Sequence, residues 1–176
     1  LHVESMLSDG LLKEQVTPVA TTGRKPKLFS LNADYGYIIG VELGLLHIIK
    51  TGIFTLDGTL VSSDSLAYSE HWEAEEIIDK TINAIEEQFK AQSLKRDRIL
   101  YIVIGNPGVV APNTGTIALS ASVAKWSKLP LKILFQRHFG VSVKVLNDVN
   151  LSAIGEKEFG VGHGYSNFVF VRQSIG

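Results

Sequence analysis

Apolar positions along this chain follow two different periods, and their order predicts a mixed α/β fold. Five runs have the alternating or continuous apolar character of strands, at residues 36–42, 47–55, 59–66, 99–104 and 141–146. Between the third and fourth runs, apolar residues recur with helical spacing, at Ile78, Ile82, Ile85 and Phe89. Acidic residues that suit a helix N-terminus precede them. The pattern therefore predicts three antiparallel strands, then a helix, and then a fourth strand.

The C-terminal third continues the alternation of helices and strands. A helix is predicted from Pro130 to Phe139, because proline suits a first helical turn and Gly140 suits the C-terminal stop. A second helix is predicted from Asn150 to Phe159, and a final strand from Asn167 to Val171. Residues 105–127 are predicted to be irregular.

The first 32 residues have a pattern of their own. Residues 3–7 are predicted to end a helix, and two short strands follow, at 11–16 and 27–31. The long loop between these strands contains Arg24 and Lys25 and no acidic residue. A local basic patch is what phosphate binding requires, but a few basic residues in a loop are also typical of a solvated turn.

Composition narrows the possible classes of protein. The chain has 176 residues, 45% of them hydrophobic, so it can bury a sizeable core, and its net charge of -1 gives no overall signal for nucleic acid. It has no cysteine, and its five histidines match no metal-binding spacing, so no metal site is predicted. The longest apolar stretch is broken by Glu42, His47 and Lys50, which argues against a membrane span. No signal-peptide pattern is present, and a cytoplasmic protein is expected.

Two predicted strands end in polar or glycine-containing loops. Asn147 and Asp148 follow the strand at 141–146, and Gly105-Asn106-Pro107-Gly108 follows the strand at 99–104. Asn and Asp are also favoured N-caps, so Asn147, Asp148 or Asn150 could simply cap the next helix. In open α/β sheets, however, ligands bind beyond the carboxyl ends of the strands, where glycines permit close backbone approach. The two loops together predict a backbone-lined ligand crevice with Asp148 as its main polar group.

In their order along the chain, these segments resemble the ROK family, named for repressors, open reading frames and kinases acting on sugars. The resemblance covers nearly the whole chain. Each segment alone is a weak signal, and the ordered set is specific. The segments are Gly23-Arg-Lys-Pro26, Leu28-Phe-Ser-Leu-Asn32, Ile39-Gly-Val-Glu-Leu-Gly44, Leu56-Asp-Gly-Thr-Leu60, Gly105-Asn-Pro-Gly-Val109, Ser120-Ala-Ser-Val-Ala-Lys-Trp126, Leu129-Pro-Leu131 and Asn147-Asp-Val-Asn-Leu-Ser-Ala-Ile-Gly-Glu156.

The resemblance implies a particular domain organisation. Residues 33–176 would form the ribonuclease-H-like first lobe of the actin-type ATPase fold, an α/β lobe. Residues 1–32 would be the C-terminal part of a winged helix-turn-helix domain, with the loop at 17–26 as its wing; an ordinary β-hairpin is the alternative. The second lobe would be missing, so the chain is expected to be a fragment. The family's zinc site would lie in that missing C-terminal half, and no cofactor is expected in this chain.

The resemblance also implies roles for individual residues. Gly108, Ser122, Asn147 and Asp148 would bind a sugar; Ser122 stands where the family has a sugar-contacting asparagine. Arg24 and Lys25, which lie in the wing, would contact the DNA backbone or the minor groove. In a kinase of this family, Asp148 would be the general base that accepts the sugar hydroxyl proton during transfer of the γ-phosphate of ATP.

Both phosphate loops depart from the kinase pattern. The segment Glu42-Leu-Gly-Leu-Leu-His47 stands where kinases resemble Asp-x-Gly-Gly-Thr-Lys, and its leucines offer no side-chain hydrogen bonds. The segment Arg172-Gln-Ser-Ile-Gly176 stands where kinases resemble Gly-Thr-Gly-x-Gly, so bulk replaces two glycines. These departures predict a protein that senses a sugar without phosphorylating it, with no catalytic residue.

The prediction is therefore a sugar-responsive transcriptional regulator of carbohydrate metabolism, most often a repressor. Its partners would be operator DNA and a sugar effector, and a homodimer is expected because paired half-sites require one. An ATP-dependent sugar kinase that uses Asp148 is the first alternative. An inert structural or interaction module is the second.

Overall fold

The computed structural model describes residues 2–15, 27–44, 47–111, 117–119 and 129–173. Its elements follow the predicted order, with one added hairpin and without the last predicted strand. In chain order they are α1 (His2–Ser8), β1 (Leu12–Gln15), β2 (Leu28–Leu31), β3 (Tyr37–Leu43), β4 (Ile48–Thr55), β5 (Leu60–Ala67), α2 (Ala74–Ala91), β6 (Ile99–Asn106), β7 (Val109–Val110), β8 (Ile117–Leu119), α3 (Leu131–Phe139), β9 (Ser142–Asn147) and α4 (Asp148–Phe159). Short 3-10 turns at Ala33–Tyr35 and Arg96–Arg98 precede β3 and β6.

A five-stranded mixed sheet is the centre of the fold, with the strand order β5-β4-β3-β6-β9. Within this sheet, β4 is antiparallel to both β3 and β5, as predicted, and β6 and β9 run parallel to β3. The connection between β4 and β5 turns at Asp57-Gly58, where Gly58 has a φ of +89° that suits glycine. Parallel strands require crossovers, and α2 and α3 provide them.

Helices α2 and α3 cover one face of the sheet and form the main core with it. Isoleucine dominates this core because β-branched side chains pack well on a pleated surface. Each fully buried Ile or Phe side chain contributes about 1.5–3 kcal/mol relative to its exposed state. The predicted helical stripe is confirmed as core, since all four of its members are buried. The largest fully buried side chains are Phe135, Ile39, Leu43, Ile49, Ile53, Ile77, Ile78, Ile85, Ile102, Ile104 and Ile117.

Helix α4 approaches the opposite face, over β6 and β9. Side chains alternate along a strand, so Gly105 belongs to the face opposite the core residue Ile104. A Cβ on Gly105 would lie 3.1 Å from Leu151 Cδ1 and 3.7 Å from the Cα of Asp148. The glycine therefore allows the first turn of α4 to lie close to the end of β6.

The N-terminal residues form a helix followed by the two-stranded antiparallel sheet of β1 and β2. Lys27 Nζ lies 3.2 Å from Glu14 Oε2 across this hairpin, in an exposed ion pair. Asn32 links the hairpin to the residues before it, because its side chain donates to the carbonyl of Gly10 at 2.9 Å. The two predicted strands are confirmed, whereas the loop between them, with Arg24 and Lys25, lies outside the described residues.

The structure corrects the predicted C-terminal strand. Residues 167–171 form no strand, and Val169 and Val171 are 88% and 81% exposed. An apolar run forms a strand only when a neighbouring backbone completes its hydrogen bonds, and no described strand pairs with this segment. The stretch predicted to be irregular contains the small hairpin of β7 and β8. Helix α4 begins at Asp148, two residues before the predicted start.

Candidate functional site

Three parallel strands end at one edge of the sheet and place polar side chains there. Strand β3 ends at Leu43, β6 at Asn106 and β9 at Asn147. Asn106 and Asn147 are opposite each other in the register of the two neighbouring strands. The crevice predicted at this edge is therefore present, with the loop after β6 on one side and the start of α4 on the other.

Asn147 connects both sides of the crevice through one side chain. Its Oδ1 accepts a hydrogen bond from the backbone N–H of Asn150 at 3.0 Å, so Asn147 is the N-cap of α4. Its Nδ2 donates to the carbonyl oxygen of Gly108 at 2.9 Å. Gly108 has a φ of +113°, a backbone conformation that favours glycine. The capping and ligand-site interpretations of Asn147 are thus compatible, because an amide can accept two hydrogen bonds and donate two, and each of its ends uses one here.

Asp148 is the buried charge of the site. It is the first residue of α4, where free N–H groups favour an anion, and it is 6% exposed. Its Oδ2 accepts from Nη1 of Arg172 at 2.8 Å. Nη2 of the same guanidinium lies 3.4 Å from Oε1 of Glu42, which is on β3. A carboxylate at the helix start and a carboxylate at a strand end therefore share one arginine.

A cavity of about 340 Å³ lies beside Gly108 and Asn147, and Asp148, Glu42 and Arg172 do not line it. This size suits a small ligand such as a monosaccharide. Its wall combines residues of the loop after β6 and of β7 with apolar residues of β9 and with the polar residues Asn147 and Asn150. The lining residues are Gly108, Val109, Val110, Val145, Leu146, Asn147 and Asn150. A larger groove of about 590 Å³ lies between α2 and α3, but it contains none of the strand-end residues.

Asn106 is a site residue that the sequence did not single out. It is fully buried at the end of β6, and its Nδ2 donates to the carbonyl of Pro107 at 2.7 Å. Its Oδ1 is buried and has no hydrogen-bond partner among the described residues. Arg172 was also missed as a site residue. Its position in the sequence could have identified it, because it stands where the resemblance placed the second phosphate loop.

Of the four predicted sugar-binding residues, Gly108 and Asn147 line the cavity, whereas Asp148 does not line it and pairs with Arg172. Ser122 lies outside the described residues, as do Leu45 and Leu46 of the first phosphate loop. Within the described part of the chain, no group of three or more His, Asp or Glu residues could hold a metal ion. No helix in that part is long and apolar enough to cross a membrane.

The mixed α/β sheet with a polar crevice at its strand ends is consistent with a lobe of the actin-like ATPase fold. The chain belongs to the ROK family, whose family profile matches residues 38–176. It is 29% identical over 175 residues to the xylose repressor of Caldicellulosiruptor bescii. That alignment covers 98% of this chain and 43% of the repressor. The chain thus spans less than half the length of the curated relatives it matches.

Two solved structures show the same fold. The crystal structure of a ROK family transcriptional regulator, a homologue of the E. coli Mlc protein, matches with a TM-score of 0.70 and 21% identity, over 89% of this chain and 39% of that chain. A ROK family glucokinase from Streptomyces griseus, in complex with glucose and AMPPNP, matches with a TM-score of 0.63 and 29% identity. That match covers 73% of this chain and 38% of the glucokinase. Regulators and kinases of the family therefore share this lobe.

Proposed function

We propose that this protein is a sugar-responsive transcriptional repressor of carbohydrate metabolism. The observation that carries the proposal is the extent of similarity. The xylose repressor aligns with 98% of the chain, including residues before the lobe, whereas the glucokinase structure covers 73%. The segment that precedes the lobe thus has a counterpart in the repressor, and xylose is the first sugar to test as effector.

The strand-end crevice is the proposed effector site. Asp148 supplies carboxylate oxygens that accept hydrogen bonds from sugar hydroxyls, and the Asn147 amide supplies both a donor and an acceptor. Gly108 brings backbone close to the ligand at a position fixed by the Asn147 side chain. Vicinal hydroxyls of a sugar require such neighbouring donors and acceptors. Ser122 is retained as a fourth candidate from the sequence.

The proposed partner of the N-terminal residues is operator DNA. Residues 1–32 would form the C-terminal part of a winged helix-turn-helix domain, with the β1–β2 hairpin as its base and Arg24 and Lys25 in its wing. Contacts from these two residues would reach phosphates or the minor groove and give affinity without reading bases. The protein would act as a homodimer on paired half-sites, and sugar binding would shift the population of DNA-competent conformers.

A sugar kinase is the second candidate. It is favoured by the buried Asp148 at a strand end, which suits a general base, and by the similarity to a glucokinase. It is opposed by Arg172, whose guanidinium occupies the Asp148 carboxylate in the present arrangement. The departures of both phosphate loops from the kinase pattern oppose it as well.

The test is a fluorescence-anisotropy titration of the full-length protein on duplex DNA from its own upstream region. It is repeated across a salt series, with xylose, glucose and other sugars. Salt-dependent binding that one sugar shifts is expected for the repressor. DNA binding at the non-specific level under every sugar, together with sugar-dependent ATP consumption, would establish the kinase instead.

A further inference from the structure

Arg172 joins two carboxylates that are 130 and 24 residues away along the chain. Nη1 donates to Asp148 Oδ2 at 2.8 Å, and Nη2 lies 3.4 Å from Glu42 Oε1. The arginine side chain is 29% exposed, so the bridge is partly shielded from water. This bridge depends on the forked shape of the guanidinium, because its two terminal nitrogens contact Asp148 and Glu42 at the same time.

The bridge neutralises charge that the fold would otherwise leave uncompensated. A buried carboxylate is costly unless it is paired, and Arg172 is the cation that contacts Asp148 among the described residues. Lys50 lies 3.8 Å from the other oxygen of Glu42, but its side chain is 65% exposed and it has no contact with Asp148. The exposed pair contributes little, so Arg172 is the effective counter-ion of the site.

Asp148 and Glu42 contact the same guanidinium, and carboxylate oxygens are also ligands that a divalent cation prefers. The arginine places a delocalised positive charge and five N–H donors against them. A divalent cation bound to both carboxylates would have to displace this charge. Arg172 engages Oδ2 of Asp148, so the other oxygen is not used by this ion pair and can accept from a ligand hydroxyl.

We propose that Arg172 is the specificity-determining residue of this cleft: it holds Asp148 for a neutral sugar and excludes a divalent cation and its nucleotide. This inference rests on the proposed sugar-binding function. It goes beyond that function, since it assigns a residue outside the crevice wall and states what the cleft rejects. The arginine acts through Asp148 and is a positioning residue for the sugar.

The experiment uses the full-length protein and four variants. Arg172→Gln removes the charge, Arg172→Lys keeps the charge without the fork, and Lys50→Gln is the matched control that removes a neighbouring cation. The fourth variant, Arg172→Gln combined with Asp148→Asn, tests whether any metal bound depends on the buried carboxylate. Mn²⁺ binding is followed by loss of the electron paramagnetic resonance signal of free Mn²⁺, and xylose binding by calorimetry.

Wild type and Lys50→Gln are expected to leave the Mn²⁺ signal unchanged. Arg172→Gln is expected to bind Mn²⁺ and to bind sugar about tenfold more weakly, because a charged hydrogen-bond partner of Asp148 is lost. The double variant is expected to lose the Mn²⁺ binding, and Arg172→Lys is expected to bind sugar with intermediate affinity. Circular dichroism of Arg172→Lys shows whether a charge at this position is enough to keep the fold.

Two results would overturn the proposal: Mn²⁺ binding by the wild type as strong as by Arg172→Gln, or no Mn²⁺ binding by Arg172→Gln that is folded. The metal measurement does not need a sugar. If the wild type binds no sugar or operator, the proposed function fails, while the Mn²⁺ comparison still decides whether Arg172 excludes a cation.

Discussion

Asn147 Nδ2 lies 2.9 Å from the carbonyl oxygen of Gly108, and this one hydrogen bond joins the start of α4 to the loop after β6. The two residues belong to different strand ends, 39 positions apart in the chain. The same side chain caps the helix through its oxygen. Both walls of the crevice are therefore positioned by the amide of Asn147. Substitutions at this residue can remove the contact with Gly108 with or without the helix cap.

Asn147→Asp is expected to keep the helix cap, to lose the contact with Gly108 and to lose sugar affinity with it. Aspartate keeps the capping oxygen and suits a helix N-terminus, but it cannot donate to Gly108. Asn147→Ala removes both interactions and is expected to cost about 1 kcal/mol for the cap alone. Urea unfolding gives the stability and calorimetry gives the sugar affinity. Equal sugar affinities of Asn147→Asp and wild type would show that the bond to Gly108 does not position the site.

Asp148→Asn is expected to abolish the response to sugar while DNA binding without sugar is preserved. The substitution keeps the shape and removes the charge that pairs with Arg172. Asp79→Asn, on the exposed face of α2, is the control with the same change of charge. The anisotropy titration measures both variants. Loss of ATP-dependent turnover in Asp148→Asn would support the kinase, and an unaltered response would support an inert module.

Thr51→Val is expected to destabilise the lobe by about 1–3 kcal/mol, since it leaves a buried donor without its main partner. Gln88 Nε2 of α2 donates to Thr51 Oγ1 of β4 at 2.6 Å inside the core. The double variant Thr51→Val with Gln88→Leu removes both polar groups, and it is expected to recover part of that loss. A double-mutant cycle from urea unfolding measures the coupling. Additive effects of the two substitutions would argue that the contact contributes nothing.

Gly44→Ala and Gly155→Ala are expected to change stability in opposite directions. A Cβ at Gly44 would lie 2.1 Å from the backbone oxygen of Ile48, so β3 and β4 must separate at their ends. Nothing lies within 4 Å of a Cβ at Gly155, which is inside α4. The first substitution is expected to cost about 1–3 kcal/mol. The second is expected to add about 0.5–1 kcal/mol, because alanine is the better helix former. Thermal and urea unfolding of both variants measure the difference.

The turn between β4 and β5 is expected to make the free energy of unfolding depend on pH in the acid range. The hydroxyl of Thr55, and then the backbone N–H of Thr59, donate to Asp57 and lower the pKa of its carboxyl group. A lowered folded-state pKa stabilises the fold above the unfolded value of about 4, and this stabilisation is lost as the pH falls through the folded pKa. Thr55→Val is expected to reduce the loss of stability between pH 5 and about pH 2. Unfolding midpoints over this range measure it, and equal slopes for variant and wild type would contradict the assignment.

Much of the fold follows from local pattern. The isoleucine runs of β3, β4 and β6 and the stripe on α2 each bury one face, so their period identifies both the element and its inner side. The segment 167–171 shows the limit of this inference. Its continuous apolar run, Phe168 to Val171, favours a strand, but a strand is a property of two backbones, and no described strand pairs with it.

The sequence by itself determined the order of the five sheet strands and of α2, α3 and α4, the buried stripe of α2, the resemblance to the ROK family and the position of Gly108, Asn147 and Asp148 after strand ends. These features depend on residues that are near one another in the chain or on the common direction of parallel strands. Only the tertiary structure decided that Arg172 bridges Asp148 and Glu42, and that Asn106 buries an amide beside them. Ion pairs and buried hydrogen bonds depend on distances of a few ångströms between distant segments, which no local period specifies.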